Sequence, residues 1–372
     1  MRGQETVSSG QMAVLLLSFS LGSAIIYIPN LVIGLSENAA WLALALSMPW
    51  GMLVLASTLY LSNRYPNLTF IEYSFKIAGK WITFAVGALF AFMLLTMLVY
   101  IIISIGGFFV AAMMNETPSY VFNSLTLLLA AFTVRAGIET IARLYSFLIA
   151  ALLIFVLIIL ILAVPYYHPE LLLPLFPDGW RPLLHGTFYT AGFPYAEVSV
   201  FSMLLPFVRT EGKKKSLRRS LMIALSITTL TLILSFLVTI MVLGPLAAER
   251  EYSLYAVAQV ISIYDILERI ESIVGIVLIV GSYMKAVIAL FILNLTLTKL
   301  FRLQDDKILI FPLASLASLL SETMYSNEMG YVDDVAQIWP LMALFFGALP
   351  VLLMAVLSMM KGKRFSTEGS SR

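Results

Sequence analysis

The sequence predicts an all-α integral membrane protein with about ten transmembrane helices, and three observations lead to that prediction. Hydrophobic residues make up 60% of the 372 positions, charged residues make up only 12%, and the mean hydropathy is +0.96. Apolar windows long enough to cross a bilayer recur along the chain, and Lys and Arg collect in alternate loops. A soluble domain would carry roughly 25% charged residues, so much of this surface is expected to face lipid.

The apolar windows follow one another without a linker or an extramembrane domain, so residues 1–372 are expected to form one polytopic membrane domain. The first window is too long for a signal-peptide core and is interpreted as a retained span. Residues 361–372 are expected to form a flexible cytoplasmic tail. The predicted spans lie near 11–33, 39–62, 82–112, 119–134, 138–164, 183–207, 220–243, 267–298, 308–325 and 336–360.

The distribution of positive charge predicts that both termini are cytoplasmic. With the N-terminus inside, the cytoplasmic segments hold 19 of the 23 Lys and Arg residues, and the outer segments hold 2. The remaining two, Arg269 and Lys285, fall within a span. The basic loop from Arg209 to Arg219 is therefore predicted inside, and the acidic segment from Ser326 to Asp334 outside.

The composition also limits the functional classes. The formal net charge of +2 gives no indication of a nucleic-acid partner, and the absence of cysteine excludes thiolate metal sites and Cys nucleophiles. His168 and His185 have no second ligand at metal-binding spacing, so no metal site and no cofactor is predicted. No nucleophile paired with a base is apparent, so the chain is not expected to be an enzyme.

Two predicted spans contain helix-breaking sequences, and they are the first and the sixth. Span one contains the segment 20–24 with Gly22 at its centre, followed by Pro29. Span six contains Gly192-Phe193-Pro194. Breaks at corresponding positions in two halves of a membrane protein point to a binding site near the bilayer midplane, although Gly and Pro can also merely kink a helix.

Two ionisable residues inside spans stand out. Glu197 lies in the middle of span six, so it must face protein or water and either contact a ligand or join an internal polar network. Lys285 lies deep in span eight, too far from either surface to reach it easily. It could replace a coupling cation between spans one and eight, pair with Glu197, or lose its proton. We predict that its ammonium points toward the break in span one and steadies the carbonyls near Ser20 and Leu21.

The breaks suggest how a small zwitterion would bind. Freed amides from Gly22 to Ile25 would hold a carboxylate, and carbonyls near Gly192 and Phe193 would hold an ammonium. Tyr100 and Tyr283 are expected to wall the site. The candidate ligand-binding residues are Ser20, Gly22, Ser23, Ala24, Ile25, Tyr100, Gly192, Phe193, Pro194, Tyr195, Glu197 and Tyr283, with Lys285 and Glu197 as candidate coupling residues.

An ordered set of local motifs runs along the chain: Gly22-Ser23; Arg64-Tyr65-Pro66, Glu72-Tyr73 and Gly79-Lys80-Trp81; Arg135-Ala136-Gly137-Ile138-Glu139 with Ala142-Arg143; Leu173-Pro174; Gly192-Phe193-Pro194 with Glu197; and Leu267-Glu268-Arg269-Ile270-Glu271. On these motifs the chain resembles, from about Ser9 to Lys363, the B subunits of bacterial spore germinant receptors, which are related to the amino acid/polyamine/organocation transporters. Lys285 departs from the neutral lining expected of a receptor for small amino acids.

The resemblance implies a LeuT-like fold of five-plus-five inverted repeats, with repeat one at about 9–164 and repeat two at about 183–360. It implies that broken spans one and six line the ligand site with help from spans three and eight. It also implies a nutrient sensor of the bacterial spore inner membrane that recognises a small nutrient, expected to be an amino acid, and works with A and C subunits. A proton-coupled amino acid transporter would use the same site, so the sequence leaves that alternative open.

Overall fold

The computed structural model describes residues 5–209, 214–250, 252–261, 270–325 and 328–361. Fourteen α-helices occur in these ranges: α1 Ser9–Leu21, α2 Ala24–Ser36, α3 Ala40–Arg64, α4 Phe70–Ala78, α5 Lys80–Ala112, α6 Ser119–Arg135, α7 Ile138–Leu162, α8 Arg181–Thr190, α9 Lys214–Leu243, α10 Ser253–Val260, α11 Ile270–Phe301, α12 Ile310–Thr323, α13 Glu328–Met342 and α14 Leu349–Met360. Six short 3₁₀-helical segments also occur in these ranges: Glu37–Ala39, Val164–Tyr166, Pro169–Leu172, Ala196–Met203, Leu205–Phe207 and Gly244–Ala248. Two π-helical segments are Ala191–Tyr195 and Ala343–Ala348.

Helical structure coincides with each predicted span, and the all-α membrane fold is confirmed. Shorter apolar helices, Ser9–Leu21, Ser119–Arg135 and Ile310–Thr323, coincide with spans one, four and nine. Within the described ranges, six helical stretches are long and apolar enough to cross a membrane: Ala24–Arg64, Lys80–Ala112, Ile138–Leu162, Lys215–Ala248, Gly275–Phe301 and Gly330–Met360.

The packing between spans repeats when each span is exchanged for the one five places further along. Span one is α1 with α2, spans two to five are α3, α5, α6 and α7, span six covers 181–207, and spans seven to ten are α9, α11, α12 and α13 with α14. Span one packs on span seven, and correspondingly span six packs on span two. Span three packs on span nine, and correspondingly span eight packs on span four. Span one packs on span five, and correspondingly span six packs on span ten. Spans three and eight, and four and nine, also pack together. Inverted five-plus-five repeats produce this pairing.

Two helices outside the predicted spans were not anticipated, α4 and α10. The start of α4 has a capping box in which the Thr69 hydroxyl accepts the Glu72 N–H at 3.4 Å and Glu72 Oε2 accepts the Thr69 N–H at 2.8 Å. Its end at Gly79 has a φ of +80°, which suits glycine. Glu72 thus serves helix capping, which accounts for its place in the connection between spans two and three.

The residues before α1 cross one end of the bundle, which we call the N-terminal end. Val7 pairs with Val208 as an isolated parallel bridge, with its N–H donating to the Phe207 carbonyl at 2.9 Å. The Glu5 carboxylate accepts the Ile138 N–H at 2.8 Å at the start of α7. The opposite end, the far end, contains residues 113–118, 244–250 and 324–325. Residues 267–269 of the Leu267–Glu271 motif and residues 362–372 of the predicted tail lie outside the described residues.

Candidate functional site

The break in span one is closely packed against span eight. Gly22 and Ser23 separate α1 from α2, and a Cβ on Gly22 would lie 2.5 Å from the Gly281 carbonyl oxygen of α11. Glycine at both positions therefore permits the two backbones to touch. The Gly22 N–H donates to the Ser18 carbonyl at 3.1 Å, so the prediction that this amide is free for a ligand is wrong. The available amides begin at Ser23.

The break in span six is centred on Phe193, whose φ of −125° and ψ of 111° are extended. Helical structure resumes at Pro194, which has no N–H to donate. A Cβ on Gly192 would lie 2.5 Å from the Cα of Pro340 in α13. Replacing either break glycine by leucine would therefore collide with a neighbouring backbone as well as alter the break.

A buried ion pair joins spans six and eight beside these breaks. The Lys285 ammonium lies 2.6 Å from Glu197 Oε2, and both side chains are 1% exposed. The second carboxylate oxygen, Oε1, accepts the indole N–H of Trp339 at 2.9 Å. The Lys285 ammonium also lies 4.2 Å from the ring centroid of Phe193 and 5.2 Å from that of Phe19.

The buried ion pair accounts for a lysine so deep in a span. Three alternatives were open for Lys285, namely replacing a coupling cation, pairing with Glu197 or losing its proton, and the structure shows the pairing with Glu197. The ammonium is directed at this carboxylate and at two aromatic faces, rather than at the carbonyls of Ser20 and Leu21 as predicted, because an ionised carboxylate is the stronger acceptor. The two charges cancel, so the site carries no net charge from them.

A small cavity of about 30 Å³ lies beside the pair. It has room for roughly two water molecules. Its walls come from spans one, three, six, eight and ten: Ser23, Tyr27, Met97, Tyr100, Ile101, Ser104, Phe193, Glu197, Lys285, Tyr331, Val335 and Trp339.

Aromatic side chains form the wall of this cavity toward the far end. The Tyr100 ring packs edge-on against Trp339 at 5.8 Å and against Tyr331 at 5.7 Å between centroids. The hydroxyl of Tyr331 bonds to that of Ser104, and the Tyr27 hydroxyl donates to the Ser104 carbonyl at 2.7 Å. These bonds hold α5 to α2 and α13 around the ion pair.

The structure brings together part of the predicted residue set. Five predicted residues line the cavity: Ser23, Tyr100, Phe193, Glu197 and Lys285. Others are buried near the breaks without lining it: Ser20, Gly22, Ala24, Ile25, Gly192 and Pro194.

Two predicted tyrosines lie elsewhere. The Tyr195 hydroxyl is 2.7 Å from the Thr229 hydroxyl on α9, and its ring packs where Gly51 leaves space. The Tyr283 hydroxyl is 2.7 Å from the Thr133 hydroxyl on α6, so this residue does not wall the cavity as predicted. Tyr283 and Lys285 are two positions apart, and a helix turns side chains at that spacing to different faces.

Sequence reasoning missed the contribution of span ten. Tyr331 and Trp339 are polar-tipped aromatics on α13 that line the cavity, whereas only spans one, three, six and eight were expected there. Tyr27 was also missed, although it lies four positions after Ser23 and so on the same face of α2. That spacing was the available signal.

A larger cavity of about 300 Å³ opens at the N-terminal end. Its charged walls are largely paired with one another: Lys299 lies 3.5 Å from Asp306, and the Lys307 ammonium lies 3.8 Å from Glu5 and donates to the Arg135 carbonyl at 2.8 Å. The bundle is therefore more open at this end than at the central ion pair.

The broken helices and the charged centre define a permease-like integral membrane protein with a LeuT-like fold. The structure of MhsT in complex with L-phenylalanine is similar, with a TM-score of 0.71 at 14% identity, covering 95% of this chain and 99% of that one. A mutant manganese transporter of Eremococcus coleocola has a TM-score of 0.65 at 14% identity, covering 93% of this chain and 78% of that one. Both comparisons concern the fold alone.

Residues 6–329 match the family described as Spore germination protein, and the chain belongs to that family. Spore germination protein KB of Bacillus subtilis strain 168 is 26% identical over 367 residues, which cover 96% of each chain. Spore germination protein YndE of the same organism is 23% identical over 368 residues, which cover 94% of this chain and 96% of that one. The chain is thus a germination-related, permease-like membrane protein.

Proposed function

We propose that this protein is the nutrient-sensing subunit of a spore germinant receptor and binds an amino acid where its two broken helices meet. The observation that carries the proposal is the Lys285–Glu197 pair, because it presents one buried positive and one buried negative group beside a cavity at that junction. A zwitterion has the same two charges. It can match both groups without leaving a net charge buried.

The proposed ligand lies across the two breaks. Its carboxylate is held by the amides from Ser23 to Ile25, where α2 begins and the helix dipole favours an anion, and it faces the Lys285 ammonium, which lines the same cavity as Ser23. Its ammonium lies near the carbonyls of Gly192 and Phe193, within reach of the Glu197 carboxylate. Tyr100 forms the adjoining wall.

Binding must enlarge the central cavity, because about 30 Å³ holds only water-sized molecules. Entry of an amino acid therefore requires movement of the side chains that close the cavity, including Tyr100 and Trp339. Occupancy favours the enlarged state by the difference in its affinity for the two states. In the proposed receptor, A and C subunits detect this change in the spore inner membrane, and both termini of the chain are cytoplasmic.

A proton-coupled amino acid transporter of the same fold is the second candidate. The cavity of about 300 Å³ at the N-terminal end favours it, since a transported ligand needs an exit beyond the central site. Glu197 or Lys285 would then carry the coupled proton.

Purified protein in proteoliposomes separates the candidates. Tritiated L-amino acids are tested singly for binding and, in the same preparation, for uptake into the lumen with and without a pH gradient. Saturable binding without accumulation supports the sensor, whereas accumulation driven by the gradient supports the transporter. Two matched variants locate the site: Tyr100→Phe should weaken binding, and Tyr283→Phe, whose hydroxyl contacts Thr133 instead, should not. Saturable binding by no amino acid would reject both candidates.

A further inference from the structure

A chain of hydrogen-bonded side chains runs from the far end of the bundle to the central cavity. Asp334 on α13 accepts a hydrogen bond from the Tyr325 hydroxyl at 2.5 Å. The hydroxyls of Tyr325 and Tyr100 are 2.9 Å apart. Asp334 and Tyr325 are half-buried, and Tyr100 is buried and lines the cavity that contains Glu197. The chain thus joins a partly exposed carboxylate to a fully buried one.

The phenol chemistry orients this chain. A tyrosine hydroxyl has one proton, and Tyr325 is placed to donate it either to Asp334 or to the Tyr100 hydroxyl. An ionised Asp334 can only accept, so it takes this proton. A protonated Asp334 can instead donate to the Tyr325 oxygen, which directs the Tyr325 proton to Tyr100 and leaves the Tyr100 proton free to point into the cavity.

The cavity can complete the connection. Its volume of about 30 Å³ accommodates roughly two waters, and its walls include both the Tyr100 side chain and the Glu197–Lys285 pair. Glu197 and Lys285 are the charged residues among those lining side chains. A proton that passes along the chain therefore ends at this pair.

The groups that face the pair are otherwise neutral phenols and an indole. Tyr27 on α2, Tyr100 on α5 and Tyr331 on α13 line the same cavity, and Trp339 bonds to the carboxylate itself. From α8, Tyr189 lies near Glu197.

Three titratable side chains lie near Asp334. Tyr325 and Tyr100 face it, and Asp333 is its neighbour on α13. Tyr325 is the group through which Asp334 connects to the cavity.

We propose that Asp334, Tyr325 and Tyr100 form a proton path between the far face and the Glu197–Lys285 pair, so that the central site takes up a proton from that face. Each phenol accepts one proton and releases its own, so both are regenerated. Inward transfer starts from a protonated Asp334, which donates to Tyr325 while Tyr325 donates to Tyr100 and Tyr100 donates into the cavity. The net result is one proton moved from the far solution to the Glu197 carboxylate, which opens its ion pair while Lys285 remains charged. The inference deepens the proposed function, which uses the same site.

Trp339 provides the readout, because its indole N–H bonds to Glu197. Proteoliposomes that expose the far face receive a rapid acid jump outside, without any amino acid, and tryptophan fluorescence is followed by stopped flow. The wild type should show a rapid change that Trp339→Phe and Glu197→Gln both remove. Tyr325→Phe and Asp334→Asn should each slow it by about 100-fold, the scale expected when a positioned proton-transfer group is lost. Tyr120→Phe, at an exposed tyrosine, is the control and should leave the rate unchanged.

Two results would overturn the proton path. One is a wild-type protein without a fluorescence change that depends on Trp339. The other is an unchanged rate in both Tyr325→Phe and Asp334→Asn, which would mean that protons reach the pair by another way. Asp334→Asn keeps an acceptor for Tyr325, so it tests the path even if Tyr325→Phe folds poorly. Because no amino acid is present, a failure of amino acid binding leaves this result intact, and the reverse also holds.

Discussion

Removing one partner of the buried ion pair should destabilise the protein strongly. Lys285→Met keeps an unbranched side chain, one atom shorter, but leaves the buried Glu197 carboxylate with the Trp339 N–H as its remaining hydrogen-bond donor among the described residues. Breaking a buried pair in this way costs about 3 to 5 kcal/mol, because the remaining charge is desolvated and unpaired. Replacing both partners by neutral groups of similar volume is often nearly neutral, so Lys285→Met combined with Glu197→Gln should recover most of the loss.

Reversible unfolding in mixed micelles, followed by circular dichroism, gives the free energy of unfolding for the wild type, both single variants and the double variant. The double-variant cycle isolates the interaction between the two side chains. Lys285→Arg is the charge-retaining control and should lose less than Lys285→Met. The reasoning is wrong if Lys285→Met lies within about 0.5 kcal/mol of the wild type, the range of a surface substitution. It is also wrong if the double variant is as unstable as the sum of the two single variants.

Three further predictions concern packing, topology and pH. Gly22→Ala should lower the free energy of unfolding by about 1 to 3 kcal/mol, because its Cβ would lie 2.5 Å from the Gly281 carbonyl oxygen; an unchanged value would contradict this close approach. A Ser326→Cys variant should react with an impermeant maleimide from the outer face, and labelling from the cytoplasmic face alone would reverse the topology. Burial and, second, the Asp178 charge raise the pKa of the Glu37 carboxyl, so ionisation of this group is disfavoured in the folded state. The free energy of unfolding should therefore fall as the pH rises from the ordinary pKa of a glutamate through the raised pKa of Glu37. Glu37→Gln should weaken that dependence of the melting temperature, and an identical profile would be evidence against it.

The helical membrane fold could be predicted from the sequence because a bilayer allows few kinds of spanning structure. Apolar length and two Gly- and Pro-containing breaks are local features, and each predicted the element that the structure contains. The amphipathic α4 was missed because its nine residues are too short to span and lie in a loop. Its capping signature, Thr69 with Glu72, was present in the sequence.

The site was predicted less completely because it depends on which faces of several helices converge. Glu197 and Lys285 could be chosen singly, since a charge inside a span requires a partner. That they partner each other depends on the packing of span six against span eight, which no local pattern encodes. Trp339 and Tyr331 were missed for the same reason, because an aromatic residue on a membrane helix can contact either lipid or a site.

Tyr283 is a residue that the sequence placed in the site and the structure places outside it. A tyrosine two residues from Lys285 was an attractive wall for the site, but the helical rotation between them directs its hydroxyl to Thr133 on α6. The rotation of α11 about its axis determines which side chains face the cavity. Contacts such as that between Gly22 and Gly281 fix this rotation.

The central claim is that an amino acid is recognised at the Glu197–Lys285 pair. Equilibrium binding of tritiated L-amino acids to protein in nanodiscs tests it most directly, with the double variant Glu197→Gln, Lys285→Met compared with wild type and with Tyr283→Phe. The account predicts that the folded double variant loses saturable binding while Tyr283→Phe retains it. Equal affinity in the double variant and the wild type would contradict the account and place the ligand elsewhere.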